Sequence, residues 1–247
     1  MKYFWIIAIV IYVAVLYAQN VPSTTPRTFR LYRAFDAEPT VKLASSVQCL
    51  RKRYATLFVK VFDKHNTKYS GIATAAVAKS SDYNVECIIE PDIKRLLNDK
   101  TYSPELIGAI TMSLVAGCRG FWLNTTSTDV WNLSFLNVVA LSALSIITTI
   151  INNIEVGIHF GIFSSYYDAV DIFISEGFVL SDELSSFNGL LMWYYLPIDF
   201  GEGNQTSADM RDYIPFLNIK KPSVKQFGRG IEIEECGVTI NDNVYVA

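Results

Sequence analysis

The sequence predicts an α/β fold: one closed, irregular barrel of (β/α)5(β)3 layout. Short runs rich in β-branched and aromatic residues alternate with helical stretches, which implies a parallel sheet. Five such units come first, and three strands with little helix between them follow, so eight strands are available for closure. The 247 residues, 51% of them hydrophobic, suit one large domain with a sizeable core.

Taken in order, Arg30 to Phe35 predicts a first strand ending at Asp36, and Val41 to Tyr54 a helix. Ala55 to Phe62 is a strong strand run, Ser70 to Ser80 an Ala-rich helix, and Asn84 to Ile89 a third strand ending at Glu90-Pro91. Ser103-Pro104-Glu105 is expected to open the next helix, with serine as cap, proline at the first helical position and glutamate at the positive end of the dipole. Gly120 to Leu123 and Glu155 to Phe163 predict two more strands. A helix through Tyr167-Asp168 then runs to about Gly177. Leu190 to Leu196, Ser223 to Phe227 and Gly237 to Ile240 are the bare strands, with a short helix expected over Thr206 to Tyr213.

Leu133 to Ile151 is apolar enough to resemble a membrane span. Its polar residues, Ser134, Asn137, Ser142, Ser145, Thr148 and Thr149, fall in one stripe of roughly 140° at about 100° per residue. A barrel helix shows solvent such a stripe, and the flanking strand runs favour that reading over a membrane helix.

The first residues read separately. Lys2, an apolar run from Tyr3 to Val15 and a small residue at Ala18 form the pattern of a secretory signal peptide over residues 1–18. An uncleaved anchor is the alternative, and the only route by which a membrane becomes a partner. Residues 19–29 are a polar lead-in and residues 30–247 the barrel. A secreted chain permits disulfides among Cys49, Cys87, Cys118 and Cys236, whose spacing is too wide for a zinc cluster. Sequons at Asn124, Asn132 and Asn204 are glycosylation acceptors where exposed. A net charge of −3, with Arg51-Lys52-Arg53 the one basic run, argues against a nucleic-acid partner. Nothing resembles a Ser-His-Asp triad, a phosphate loop or a metal site, so no metal or other cofactor is expected.

Lys221-Pro222-Ser223-Val224-Lys225-Gln226-Phe227, Cys236 to Asn241 and Val244-Tyr245 resemble the end of the eukaryotic lysozyme-like branch of glycoside hydrolase family 25. Gly161-Ile162-Phe163 with Tyr167-Asp168, Leu191 to Tyr195 and Phe121-Trp122-Leu123 resemble further strands of that family. The resemblance implies a TIM-like barrel with its groove at the carboxyl ends of the strands, and muramidase activity on peptidoglycan. It also implies a Cys49–Cys236 disulfide, while Cys87 and Cys118 are left either to pair or to stay as small buried hydrophobes.

Glycoside cleavage normally needs two carboxyl groups, one to donate a proton and one to act as base, nucleophile or stabilising charge. The family's Asp-x-Glu pair on the fourth strand aligns with Asn124 and Thr126, and neither can act as an acid near neutral pH. Asp36, which resembles the family's first-strand aspartate, and Glu90 are therefore the candidate catalytic residues. Asp199 and Asp242 are lesser rim acids, Asp199 also being a candidate substrate-binding residue and Asp242 alternatively part of a turn with Asn241 and Asn243. Trp193 and Tyr195 share one side of a strand and are candidate sugar-binding residues, with core packing as the competing reading for Trp193. Trp122 and His159 read as core, and His65 as a loop residue. The expectation is a secreted lysozyme-like protein of antibacterial defence or digestion with weak or lost catalysis. The alternative is a non-catalytic glycan-binding or regulatory protein.

Overall fold

The computed structural model describes residues 31–37, 44–63, 70–99, 102–126, 129, 131, 158–173, 190–196, 205–217 and 219–246. The expected signal peptide and lead-in, the Leu133 to Ile151 helix, His65, Asn132, Asp199 and Asn204 lie outside them.

Eight strands follow one another around a closed ring in chain order. They are β1 (Leu31–Ala37), β2 (Thr56–Phe62), β3 (Asn84–Ile89), β4 (Cys118–Asn124), β5 (His159–Ser164), β6 (Leu191–Tyr195), β7 (Val224–Ile233) and β8 (Val238–Val246). Each neighbouring pair from β1 to β7 is parallel. The expected parallel sheet needs one correction: β8 runs antiparallel to both β7 and β1. A parallel crossover needs a dozen or more residues, whereas only the short 3-10 turn Glu234–Cys236 and Gly237 separate β7 from β8.

Helices α1 (Ala44–Leu50), α2 (Ser70–Ser80), α3 (Ile93–Asn98), α4 (Tyr102–Val115) and α5 (Tyr166–Phe173) fill the connections after β1, β2, β3 and β5. Helix α1 is shorter than expected, because residues 51–53 form a turn. The capping expectation at Ser103 is also corrected, since α4 already begins at Tyr102. That tyrosine is buried against Phe62, and its hydroxyl accepts the Asp92 N–H at 2.7 Å. Thr206 to Tyr213 forms turns and bends instead of a helix. There the side chain of Asp209 accepts from Ser207 and from the Arg211 N–H, an alternative to helical hydrogen bonding.

Strand alternation divides the core in two. Inside the barrel, Ala34, Phe58, Ile88, Trp122, Phe163, Trp193, Tyr195 and Val224 form one cluster. The intervening residues, among them Phe35, Leu57, Val59, Val85, Phe121, Ile162 and Tyr194, pack outward with the helices. The indole of Trp122 fits inside because the facing residue of β5 is Gly161, where a Cβ would come within 2.4 Å of the ring.

Two disulfides brace the wall. Cys49–Cys236 links the end of α1 to the turn before β8, and Cys87–Cys118 joins neighbouring strands β3 and β4. The second pairing resolves the choice that the sequence left open.

Candidate functional site at the barrel mouth

The carboxyl ends of the parallel strands define one mouth of the barrel, and β8 enters it from the opposite direction. On β1, Asp36 is in register with Asn241 of β8, and Ala34 with Asn243. Gln226 of β7 is in register with Asn243 from the other side. Three side-chain amides therefore converge on one carboxyl group. Asn241 Nδ2 donates to Asp36 Oδ2 at 2.7 Å, while Asn243 Nδ2 and Gln226 Nε2 donate to Oδ1 at 2.6 and 3.2 Å. Arg229 donates Nε–H to Gln226 Oε1 at 2.8 Å, which points the amide N–H₂ at the acid.

Burial raises the pKa of Asp36 above the ordinary carboxyl value. Hydrogen bonds from Asn241, Asn243 and Gln226 and the charge of Arg229 oppose that shift without cancelling it. Asp36 is thus a titratable group inside the mouth that holds its proton to higher pH than a solvated aspartate.

The other candidates are tied down differently. Glu90, just past β3 and 4% exposed, pairs with Lys60 Nζ at 3.0 Å, and Lys60 also lies 3.6 Å from Asp63. The amides that hold Asp36 and the lysine that holds Glu90 are different residues. Tyr195 is buried, with Phe163 on one side and the Arg229 guanidinium 4.6 Å from its ring centroid. Its hydroxyl donates to Asp168, and burial together with that carboxylate pushes its pKa up to about 12. Asp168 also forms a reciprocal cap with Ser165 at the start of α5, accepting its N–H at 3.2 Å and giving its own N–H to Ser165 Oγ at 3.1 Å.

Trp193 is 0% exposed and lies 4.3 Å, centroid to centroid, from both Phe58 and Phe163. It presents no open face for a sugar, so its role here is packing. Trp122 likewise packs inside the barrel. Asp242 is corrected on both counts: it lies within β8, not in a turn, and it alternates with Asn241 and Asn243. Buried, it takes an ion pair from Arg33 at 2.8 Å. His159 lies at the other end of the barrel, 2.8 Å from Glu86.

Asn124 is the last residue of β4 and shares strand parity with Trp122 of the inner cluster. It is buried, and its Oδ1 accepts the Thr126 N–H at 3.0 Å. Thr125 between them donates both its N–H and its hydroxyl to Phe163 O at 3.0 Å. The strand end is thus a local turn anchored to β5 through Thr125, and the buried Asn124 is poorly placed to carry a glycan.

Gln226 and Arg229 were not singled out by sequence reasoning, and Asn241 and Asn243 were placed in a turn. The available signal was the alternation Asn241-x-Asn243-x-Tyr245, a strand whose inward side chains are polar.

Residues 27–227 match the family model described as Lysozyme-like protein 1. The chain is 26% identical over 214 residues to Lysozyme-like protein 3 of Caenorhabditis elegans, covering 81% of the chain and 64% of that protein. To Lysozyme-like protein 1 of the same organism it is 25% identical over 212 residues, covering 82% and 64%. It thus spans about 64% of the length of these relatives. The spore cortex lytic enzyme SleM of Clostridium perfringens superposes with a TM-score of 0.59 at 10% identity, over 90% of this chain and 69% of that one. A family 25 glycosyl hydrolase from Bacillus anthracis gives 0.53 at 9% identity, over 92% and 94%. At such identities these structures speak to the fold alone. The match across most of its length means that the chain belongs to the lysozyme-like protein 1 family, built on a barrel of glycoside hydrolase family 25 type.

Proposed function

We propose that this protein is a secreted lysozyme-like protein whose ligand is the glycan strand of bacterial peptidoglycan and whose hydrolysis is weak or lost. The barrel is read as a (β/α)5(β)3 variant. One observation carries the functional reading: the buried end of β4 holds the neutral side chain of Asn124, whose Oδ1 accepts the Thr126 backbone N–H, and the family resemblance places two acids at these two positions. Asp36 supplies one carboxyl in the mouth, and cleavage requires a second acid placed opposite it. The leader pattern supports secretion, and two disulfides fit an oxidising compartment. Defence against bacteria, or their digestion, is the role that such a protein would serve.

The second reading is a glycan-binding or regulatory protein without catalysis. The neutral hydrogen bonding at Asn124 and Thr126 favours it, since such groups can hold sugar hydroxyls without cleaving a bond.

Product release from purified peptidoglycan, measured alongside co-sedimentation, tests both. We expect binding, with turnover lower by a factor on the order of 10²–10⁴ than that of a muramidase with both acids. Residual turnover lost in Asp36→Asn supports a weak enzyme; binding without product supports the second reading. The double variant Asn124→Asp with Thr126→Glu is expected to gain cleavage. Wild-type turnover at the level of a fully equipped muramidase would overturn the proposal.

A further inference from the structure

The end of the barrel opposite the mouth holds an open cavity of about 400 Å³, within the usual size range of ligand pockets. It is lined by residues at the starts of the parallel strands, among them Thr56, Asn84, Glu86, Arg119 and His159, with Trp122 as an inner wall. None of these residues takes part in the network around Asp36.

Three observations mark the cavity as a built site. Glu86 is a buried carboxylate whose Oε2 accepts the Trp122 indole N–H at 3.0 Å and lies 2.8 Å from His159 Nε2. Gly120 makes that arrangement fit, because a Cβ there would come within 2.2 Å of His159 Nε2 and 2.4 Å of Glu86 Oε2. Thr56, 2% exposed, has a buried hydroxyl with no hydrogen-bond partner. At the rim, Arg119 donates to Asn84 Oδ1 at 3.1 Å and so fixes the orientation of that amide.

We propose that this cavity is a second binding site, for a neutral, hydroxyl-rich molecule of monosaccharide size held by Thr56, Glu86 and Asn84. Glu86 is paired with His159, and Arg119 stands at the rim, so the lining is not dominated by charge of one sign that would select an ionic ligand. What it does offer is a carboxylate, a free hydroxyl and an oriented amide, which suit the donor–acceptor character of sugar hydroxyls. The apolar walls, Phe58, Trp122, Leu191 and Val224, suit the C–H face of such a molecule. A buried hydroxyl without a partner is costly, and a ligand O–H would satisfy Thr56.

The test is saturation-transfer NMR and calorimetry on the full chain with glucose and N-acetylglucosamine as separate probes and benzoate as an anionic control. We expect saturable binding of a sugar, at least 10-fold weaker in Thr56→Val and in Glu86→Gln and unchanged in Asp36→Asn. Thr56→Val preserves shape and breaks no existing hydrogen bond, so its folding is secure even if Glu86→Gln fails to fold. Tri-N-acetylchitotriose binding that is tighter than that of N-acetylglucosamine and weakened in Thr56→Val marks a glycan chain end as the source; Thr56-dependent binding that is equal or weaker marks a free sugar, and either sustains the site. Absence of sugar binding, binding of benzoate alone, or sugar binding lost in Asp36→Asn but kept in Thr56→Val would overturn it. The last outcome assigns the sugar to the mouth and leaves the proposed function standing.

Discussion

Asn243 couples Trp193 to Asp36. Its Oδ1 accepts the indole N–H at 3.0 Å, and its Nδ2 donates to the carboxylate at 2.6 Å. The fully buried indole decides which end of the amide faces the acid, because an N–H can only be met by the oxygen. Removing this amide withdraws a donor that favours the ionised carboxylate. Asn243→Ala should therefore raise the Asp36 pKa further, as read by carboxyl-carbon NMR titration. It should also cost roughly 1–3 kcal/mol in urea unfolding, since a buried indole N–H loses its partner.

The raised pKa of Asp36 fixes the sign of its linkage to folding. The folded protein binds this proton more tightly than the unfolded chain, whose value is near 3.8. The stabilisation is fully present below pH 3.8 and is lost as pH rises through the raised folded value. The difference in stability between wild type and Asp36→Asn, followed by urea unfolding from acid to neutral pH, should change in that window with this sign. A flat difference would show that the acid is not enclosed as described.

His159 gives a second window. Burial opposes its charge, but the hydrogen bond and charge of Glu86 outweigh burial and leave its pKa raised above 6.5. The stabilisation from this pair is complete below pH 6.5 and disappears as pH climbs through the folded value. Imidazole proton NMR should report the elevated titration, and Glu86→Gln should return it to or below the ordinary value.

Lys225 is buried and points outward from β7, donating to Ser207 O at 2.7 Å, to Asp209 O at 2.9 Å and to Asp212. Asp212 also accepts the Tyr194 hydroxyl at 2.6 Å. All three ammonium protons are used, and they tie residues 207–212 to the wall of the barrel. Lys225→Met would leave two carbonyls and a partly exposed carboxylate without this donor, at a cost of roughly 1–3 kcal/mol. Limited proteolysis should then cut within 205–217 faster than in wild type.

The Cys49–Cys236 bond spans a sequence separation of 187. In the chain-entropy model a loop of that length is stabilised by up to about 4–5 kcal/mol, often less in practice. Replacing both cysteines by alanine should lower the unfolding free energy by up to that amount, as read from urea unfolding. The exposed ion pair nearby, Arg53 with Glu235, should not compensate.

The legibility of this molecule follows the chemistry of each strand face. Strands β2, β3 and β4 read correctly because their outward residues, such as Leu57, Val59, Val85 and Phe121, pack under helices and give clear apolar runs. The ends of β7 and β8 read short because Gly228, Gly230, Asn241 and Asn243 look like turn residues. Inside a barrel mouth, however, an inward asparagine has an acid to bind. Asp36 was legible through its place at a strand end, while its partners were hidden because polar inward positions erase the alternation that marks a strand. Asp242 misled for the same reason: its type suggested a rim, and its parity put it on the outer wall.

The antiparallel β8 has a bearing on how the protein is made. It lies between the first and seventh strands, so the ring stays open, with two unpaired edges, until the ribosome has delivered some of the last residues described. Cys49 must wait as a thiol until Cys236, 187 positions further on, emerges, whereas Cys87 needs only the next 31 residues to reach its partner. Oxidation during synthesis therefore has a natural order, with the short loop sealing first and the seam last, and mispairing of Cys49 with Cys87 or Cys118 is the hazard that a nascent chain of this design has to avoid.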